Sequence, residues 1–149
     1  MKTLARFLEI ALGLFFLFSA GAKAMNIEGF AVTISAYGVI KAPALVSFAA
    51  YFTLALETAI GASFVAGRTF KGLTYLVSIG LTIVFTGLIL YAWQVKGLED
   101  CGCFGDYLKM SSAQSILKNI VLIGVLGGVW YGTRRIETER PFAVPTWRA

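Results

Sequence analysis

Four long runs of apolar residues constrain this chain more than any other feature of its sequence. They cover about residues 4–22, 42–66, 73–95 and 115–132. Each is close to the roughly 20 apolar residues that a membrane-spanning α-helix needs, and none alternates as a membrane β-barrel strand does. Only 14% of the residues are charged, against about 25% in a soluble domain. The sequence therefore predicts an all-α fold, an integral membrane bundle of four helices.

The runs divide the chain into one predicted membrane domain, residues 1–133, and a polar cytoplasmic tail, residues 134–149. The first run has a second interpretation, because Lys2, an apolar core and the small residues around Lys23 resemble a cleavable signal peptide. Glu9 interrupts that core, and the run is long enough to span. These two features favour a spanning helix.

Lysine and arginine are distributed unequally between the two ends of the runs. Eight fall on the side of the N terminus: Lys2, Arg6, Arg68, Lys71, Arg134, Arg135, Arg140 and Arg148. Five fall on the other side: Lys23, Lys41, Lys96, Lys109 and Lys118. Because cytoplasmic loops are enriched in Lys and Arg, we expect both termini in the cytoplasm and the chain in a bacterial inner membrane. The net charge of +5 then reflects the membrane surface, and no nucleic-acid partner is expected.

Two shorter patterns concern the packing of the runs. The segment 25–41 is too short to span, and its apolar residues at helical spacing predict either an interfacial helix or an ordinary loop. Gly124, Gly128 and Gly132 lie four residues apart, which predicts a helix face that a neighbouring backbone approaches closely.

Both cysteines lie in one stretch between the third and fourth runs, Leu98-Glu99-Asp100-Cys101-Gly102-Cys103-Phe104-Gly105-Asp106. Gly102 lets the chain bend far enough for the two sulfurs to form a disulfide, and the expected orientation puts the loop outside the cytoplasm, where oxidation occurs. A small ring stabilises a fold little, whereas a strained, exposed disulfide exchanges readily. We therefore expect Cys101 and Cys103 to be the catalytic pair. The supporting loop residues are Asp100, Gly102, Phe104, Gly105 and Asp106.

Two other roles for the cysteine pair stay open. One is a structural disulfide that holds the turn. The other is a site for a soft ion such as Cu(I), but the chain has no third sulfur ligand in the loop and no histidine, so no metal is expected. Glu99, Asp100 and Asp106 should raise the pKa of the thiols, which favours a disulfide that a partner's thiol attacks. The same carboxylates also suit an ordinary solvated loop.

Four charged residues within the runs, Arg6, Glu9, Lys23 and Glu57, are expected to carry intramembrane roles, because a carboxylate in a span is costly and usually paired. Arg6 and Glu9 are three residues apart on one helix face, which predicts an ion pair. The expected partner of Glu57 is Arg6 or a hydroxyl such as Ser19, in a structural or a proton-handling role. Lys23 is expected to reach the headgroups or the acidic loop.

The informative residues outside the loop are Gly13, Phe16, Ser19, Gly21, Lys23, Tyr37, Pro43, Glu57, Gly61, Gly67 and Asn119. In these residues, and over nearly its whole length, the chain resembles the DoxX/MauE family of small four-helix membrane proteins. The most specific element is Cys101-Gly102-Cys103-Phe104-Gly105, which looks like the methylamine-utilisation MauE branch.

The resemblance implies a redox-linked membrane protein, a possible thiol–disulfide oxidoreductase. Members of that branch are associated with the maturation of disulfide-rich periplasmic proteins, notably the small subunit of methylamine dehydrogenase. DoxD-type members are linked to quinone reduction by thiosulfate. A thioredoxin-like or cysteine-rich extracytoplasmic partner and a quinone are therefore expected, in addition to the lipid bilayer. Disulfide-forming enzymes of the DsbB and vitamin K epoxide reductase type use two cysteine pairs, whereas this chain has one.

Two alternative functions follow from the same residues. The first is a non-enzymatic membrane scaffold or assembly factor, in which the cysteines form a structural disulfide. The second is a small-solute or proton carrier centred on Glu57. The redox state of the cysteines separates the first from a disulfide relay, and substitution of Glu57 separates the second.

Overall fold

The computed structural model describes residues 2–67, 72–99 and 110–138. Its helices are, in chain order, α1 Lys2–Met25, α2 Ile27–Ala36, α3 Pro43–Ala66, α4 Leu73–Lys96 and α5 Ser112–Thr138. All regular elements in these ranges are α-helices, and α1, α3, α4 and α5 are long and apolar enough to cross a membrane. The predicted all-α fold with four candidate membrane-spanning helices is confirmed.

The ends of the helices follow local backbone chemistry. Pro43 occupies the first turn of α3, where a missing N–H costs nothing. Gly67 ends the same helix in the left-handed conformation, with φ of 70°, which a glycine adopts without strain. Ser111 and Gln114 exchange hydrogen bonds of 3.3 Å at the start of α5, in the manner of a capping box. This polar turn lets α5 begin before residue 115, where the apolar run starts.

The segment that follows α1 forms a helix. Asn26 caps α2 by accepting a hydrogen bond of 3.0 Å from the backbone N–H of Gly29. Phe30 and Tyr37 are buried, and the helix packs mainly against α3. Of the two structures expected for this segment, the helix is therefore the one observed.

The most extensive contact between two spanning helices joins α1 and α3 in the described part of the chain. A Cβ placed at Gly13 would lie 2.8 Å from the carbonyl oxygen of Gly61, and one placed at Gly61 would lie 2.8 Å from that of Gly13. Side chains at these positions would force the helices apart, because real Cβ atoms do not come so near a backbone oxygen. Two facing glycines therefore allow this close helix contact.

The predicted packing role of Gly124, Gly128 and Gly132 is wrong. A Cβ at any of the three would meet no atom of the described residues within 4 Å, and Gly124 and Gly128 are exposed. The face of α5 that packs on the bundle is a different one, with Ser115, Asn119, Leu126 and Val129 buried. Glycine spacing identifies a helix face that permits close packing, but the position of the neighbouring helices determines whether that face is used.

The helices enclose a core and present an apolar exterior. The core consists of Leu12, Phe16, Ile60, Phe64, Tyr75, Leu126 and Val129. Large apolar side chains also cover the outside, among them Phe7, Phe48 and Leu117, each about two-thirds exposed. An exposed apolar surface of this kind is stable in contact with lipid rather than water.

Candidate functional site

The loop that is expected to carry the redox chemistry lies outside the described residues. It contains the proposed catalytic pair, Cys101 and Cys103, and the supporting residues Asp100, Gly102, Phe104, Gly105 and Asp106. Their roles therefore stay predictions. The two ends of the loop are described, and they show where on the bundle the loop begins and ends.

Ser112 joins the two ends of this loop. Its backbone N–H donates a hydrogen bond of 2.8 Å to the carbonyl oxygen of Glu99, and its hydroxyl donates one of 2.9 Å to that of Leu98. Met110 packs on the buried side chains of Ala22 and Ile89. The described residues on the two sides of the loop therefore lie together, where the end of α1, the end of α4 and the start of α5 meet.

A lysine and a glutamate form an ion pair inside the same end of the bundle. Lys23 follows Ala22 on α1, and its Nζ lies 2.9 Å and 3.0 Å from the two carboxylate oxygens of Glu57 on α3. The same Nζ donates a hydrogen bond of 2.8 Å to the hydroxyl of Ser19, one helix turn earlier. Lys23 is 2% exposed and Glu57 is 5% exposed, so both charges are removed from solvent and lipid.

Aromatic rings and small polar groups surround this ion pair. The rings of Phe30 and Phe85 lie 5.4 Å and 5.9 Å from Lys23 Nζ, within the range of cation–π attraction. A cavity of about 40 Å³ adjoins the pair, which is room for roughly two or three waters. Its polar lining comes from Ser19, Lys23, Glu57, Thr82, Lys118 and Asn119. Asn119 donates a hydrogen bond of 3.1 Å to Thr86 on α4, which links α5 to α4 beside the cavity.

The arrangement determines what the pair can do chemically. Opposite charges at hydrogen-bond distance neutralise each other, so the bundle gains no net charge from burying them. The adjoining polar cavity also has room for waters that would hydrogen-bond to the two charged groups. The pair is therefore suited to binding a polar group inside the membrane.

The predictions for Lys23 and Glu57 are wrong about their partners. Lys23 is buried in the bundle, and its Nζ is bound to Ser19 and Glu57, so the side chain is not directed to the surface. Glu57 pairs with Lys23 rather than with Arg6, and Ser19 binds the lysine instead of the glutamate. The Ser19–Lys23 spacing of four residues on one helix face is the sequence signal that could have indicated a joint polar site.

The predicted pair of Arg6 and Glu9 is present, at 3.2 Å. Arg6 also donates hydrogen bonds to the carbonyl oxygens of Phe64 and Val65, at the last turn of α3, where such oxygens lack partners within the helix. The hydroxyl of Tyr75 on α4 donates to the other carboxylate oxygen of Glu9. This second cluster lies at the opposite end of the bundle and connects α1, α3 and α4.

Sequence reasoning gave no site role to three polar residues that line the cavity, Thr82, Lys118 and Asn119, although Asn119 is among the residues of the family resemblance. Lys118 was assigned only to the set of outer positive charges, although its Nζ lies 5.8 Å from the centre of the Phe15 ring on α1. Thr82 belongs to a run of Thr and Ser four residues apart on α4, whose hydroxyls bond to carbonyl oxygens of their own helix. That spacing marks a polar face in an apolar run and could have identified Thr82.

Comparisons with known proteins give one strong and one partial match. The family model described as "Methylamine utilisation protein MauE" matches residues 1–132, which include all the residues of the polar site. A protein described as "Protein TlpB", from Flavobacterium psychrophilum, is 28% identical over 93 residues, or 61% of this chain. The match spans about a quarter of the length of that relative, 25%. No solved structure matches the chain.

Proposed function

The chain belongs to the family of methylamine utilisation protein MauE, and with its four apolar helices it is a multi-pass membrane protein. On this premise we propose that it is a redox protein that exchanges disulfides with an extracytoplasmic partner through Cys101 and Cys103. The partner would be thioredoxin-like or cysteine-rich. The chain would lie in a bacterial inner membrane with both termini in the cytoplasm.

The observation that carries this proposal is that the residues on the two sides of the cysteine loop are hydrogen-bonded to each other. Ser112 ties the two ends of the loop together, and both flanking helices can cross the membrane. A loop that starts and ends at one end of a bundle lies on one side of the membrane. Thiol–disulfide exchange proceeds by attack of a thiolate on an accessible sulfur, so such a loop suits a partner that approaches from outside.

The electrons of the reaction need an acceptor. When Cys101 and Cys103 close to a disulfide, one S–S bond forms and two S–H bonds break, with release of two electrons and two protons. A membrane quinone would take up these two electrons and two protons and become the quinol. The chain has a single cysteine pair, so in this scheme the same pair serves both the partner and the quinone.

The test is substitution of each cysteine by serine. We expect C101S and C103S each to abolish partner oxidation, because one sulfur cannot form the exchanging disulfide, and both variants to insert normally. A Q94S variant, which changes an exposed residue at the end of α4, should oxidise the partner as the unmodified chain does. The measurement is the thiol state of the partner, trapped with an alkylating mass tag in cells.

The other outcomes identify the competing functions. Full partner oxidation in both cysteine variants would contradict the proposal. If the cysteines also stayed oxidised under every redox poise of the cell, the result would favour an assembly factor with a structural disulfide. A carrier centred on Glu57 would instead lose its activity in E57Q and keep it in both cysteine variants.

A further inference from the structure

An apolar groove runs between α1 and α5 and meets the polar cavity. It has a volume of about 250 Å³, slightly below the roughly 300–1,000 Å³ of ligand sites. Its lining residues are Leu8, Ala11, Leu12, Phe15, Lys118, Val121, Leu122 and Val125. Phe15, Lys118 and Leu122 also line the polar cavity beside Lys23 and Glu57. The apolar groove and the polar cavity therefore adjoin, and these three side chains line both.

We propose that the groove and the adjoining cavity form the quinone site, with the isoprenoid chain in the α1–α5 groove and the ring at Lys118. The inference rests on the proposed function, because it identifies where the electron acceptor binds. It names a site for the acceptor that neither the family match nor the redox role of the cysteines specifies.

The chemistry of the two halves supports this occupant. The groove lies between membrane-spanning helices and has an almost entirely apolar lining, so its ligand must be soluble in lipid. At its polar end stand an ammonium group on Lys118 and an amide on Asn119, which are hydrogen-bond donors. Quinone carbonyl oxygens are acceptors, and they gain negative charge on reduction, which a lysine stabilises. An isoprenoid quinone has an apolar tail, which suits the groove, and an electron-accepting dicarbonyl ring, which suits the polar end.

The position of the site relative to the loop supports it further. Met110, the first described residue after the loop, packs with Phe15 around Ala22 and Ile89. Phe15 is also a wall of the groove. The polar half of the site therefore lies at the same end of the bundle as the two ends of the loop. A dithiol and its acceptor need such proximity to exchange two electrons.

The experiment measures binding rather than activity. The purified chain in lipid nanodiscs is titrated with a short-chain azidoquinone, which is then photolysed, and the labelled peptides are identified by mass spectrometry. We expect label on the groove residues of α1 and α5. A11F fills the groove and should weaken binding at least tenfold, and K118Q should weaken it several-fold. Two matched controls should bind the azidoquinone normally. A62F changes an exposed face of α3 that lines neither the groove nor the polar cavity, and K96Q changes the exposed end of α4.

Every other result decides against the site. The proposed site would be overturned if both A11F and K118Q bound the quinone normally. It would also be overturned by label outside α1 and α5, or by no binding to the unmodified chain. Normal binding by K118Q alone would contradict the ring position. Competition by phosphatidylglycerol as strong as that by unlabelled quinone would identify a lipid site instead. The C101S/C103S double variant should keep full binding, so loss of partner oxidation and loss of quinone binding are separable failures.

Discussion

At the scale of single residues, the carboxylates within α1 and α3 each have a basic partner. Glu57 pairs with Lys23, and Glu9 pairs with Arg6 and accepts a hydrogen bond from Tyr75. The interior of a bilayer offers no water to replace a missing partner, so each unpaired charge would cost several kcal/mol. The bundle therefore depends on these contacts being complete.

Substitution of Glu57 tests this dependence. We expect E57Q to lower the free energy of unfolding by about 3–5 kcal/mol, because it leaves the Lys23 ammonium buried without a counter-charge. Replacement of both partners, as K23M/E57L, should recover most of the loss. The measurement is unfolding in mixed micelles titrated with SDS.

The control for this prediction is E28Q, which neutralises an exposed glutamate on α2 and should change the free energy of unfolding little. Equal stability of E57Q and E28Q would contradict the assignment of a tightly coupled pair. A double variant that is no more stable than E57Q would show that the two residues stabilise the bundle independently.

At the scale of helices, α1 and α3 share the most extensive contact of the described spanning helices. It brings the backbones together at Gly13 and Gly61, and the same pair of helices carries Lys23 and Glu57. The separation of the helices at the glycines therefore affects the geometry of the ion pair. Packing contacts of this kind replace the hydrophobic effect, which does not drive helices together in lipid.

Leucine substitutions distinguish the two glycine patterns of the chain. We expect G61L to destabilise the bundle by at least about 1–3 kcal/mol, the usual cost of overpacking, because its Cβ would overlap the Gly13 carbonyl oxygen and the Leu17 side chain. G128L should have little effect, because the space around Gly128 is open. Thermal stability followed by size-exclusion chromatography measures both. A larger loss in G128L than in G61L would contradict the observed helix arrangement.

At the scale of the whole molecule, the charge distribution supports the proposed orientation more clearly once the structure is known. Lys23 is buried and Lys118 lines the groove, so neither acts as a loop charge. Among the five lysines of the outer side this leaves Lys41, Lys96 and Lys109. The excess of Lys and Arg on the other side, which determines orientation, is therefore greater than the sequence count indicates.

Labelling in intact cells tests the orientation. After mild reduction, we expect an impermeant thiol reagent to modify Cys101 and Cys103 without permeabilisation. The control is A66C in the C101S/C103S background, which puts one thiol on the last residue of α3. Because α3 would run from outside to inside, that thiol should react only after the cells are opened. The reverse pattern would invert the proposed topology.

The sequence by itself determined the class of the fold and the limits of its main elements. Apolar runs of spanning length predict helices, because an unpaired backbone is not tolerated in lipid, and each run lies within a few residues of an observed helix. The pairing of Arg6 with Glu9 was also predictable, since residues three apart share a helix face. The cysteine pair and its loop were recognisable from spacing alone, and their role stays a prediction.

Only the tertiary structure decided which helix faces meet. It assigned Lys23 to Glu57, which are distant in the chain, and it brought Lys118 and Asn119 to the same cavity. It also selected the Gly13–Gly61 contact over the more regular glycine spacing of α5. The physical reason is that periodicity identifies the faces of one helix, whereas contacts between helices depend on the rotation and crossing of both, which no local pattern encodes.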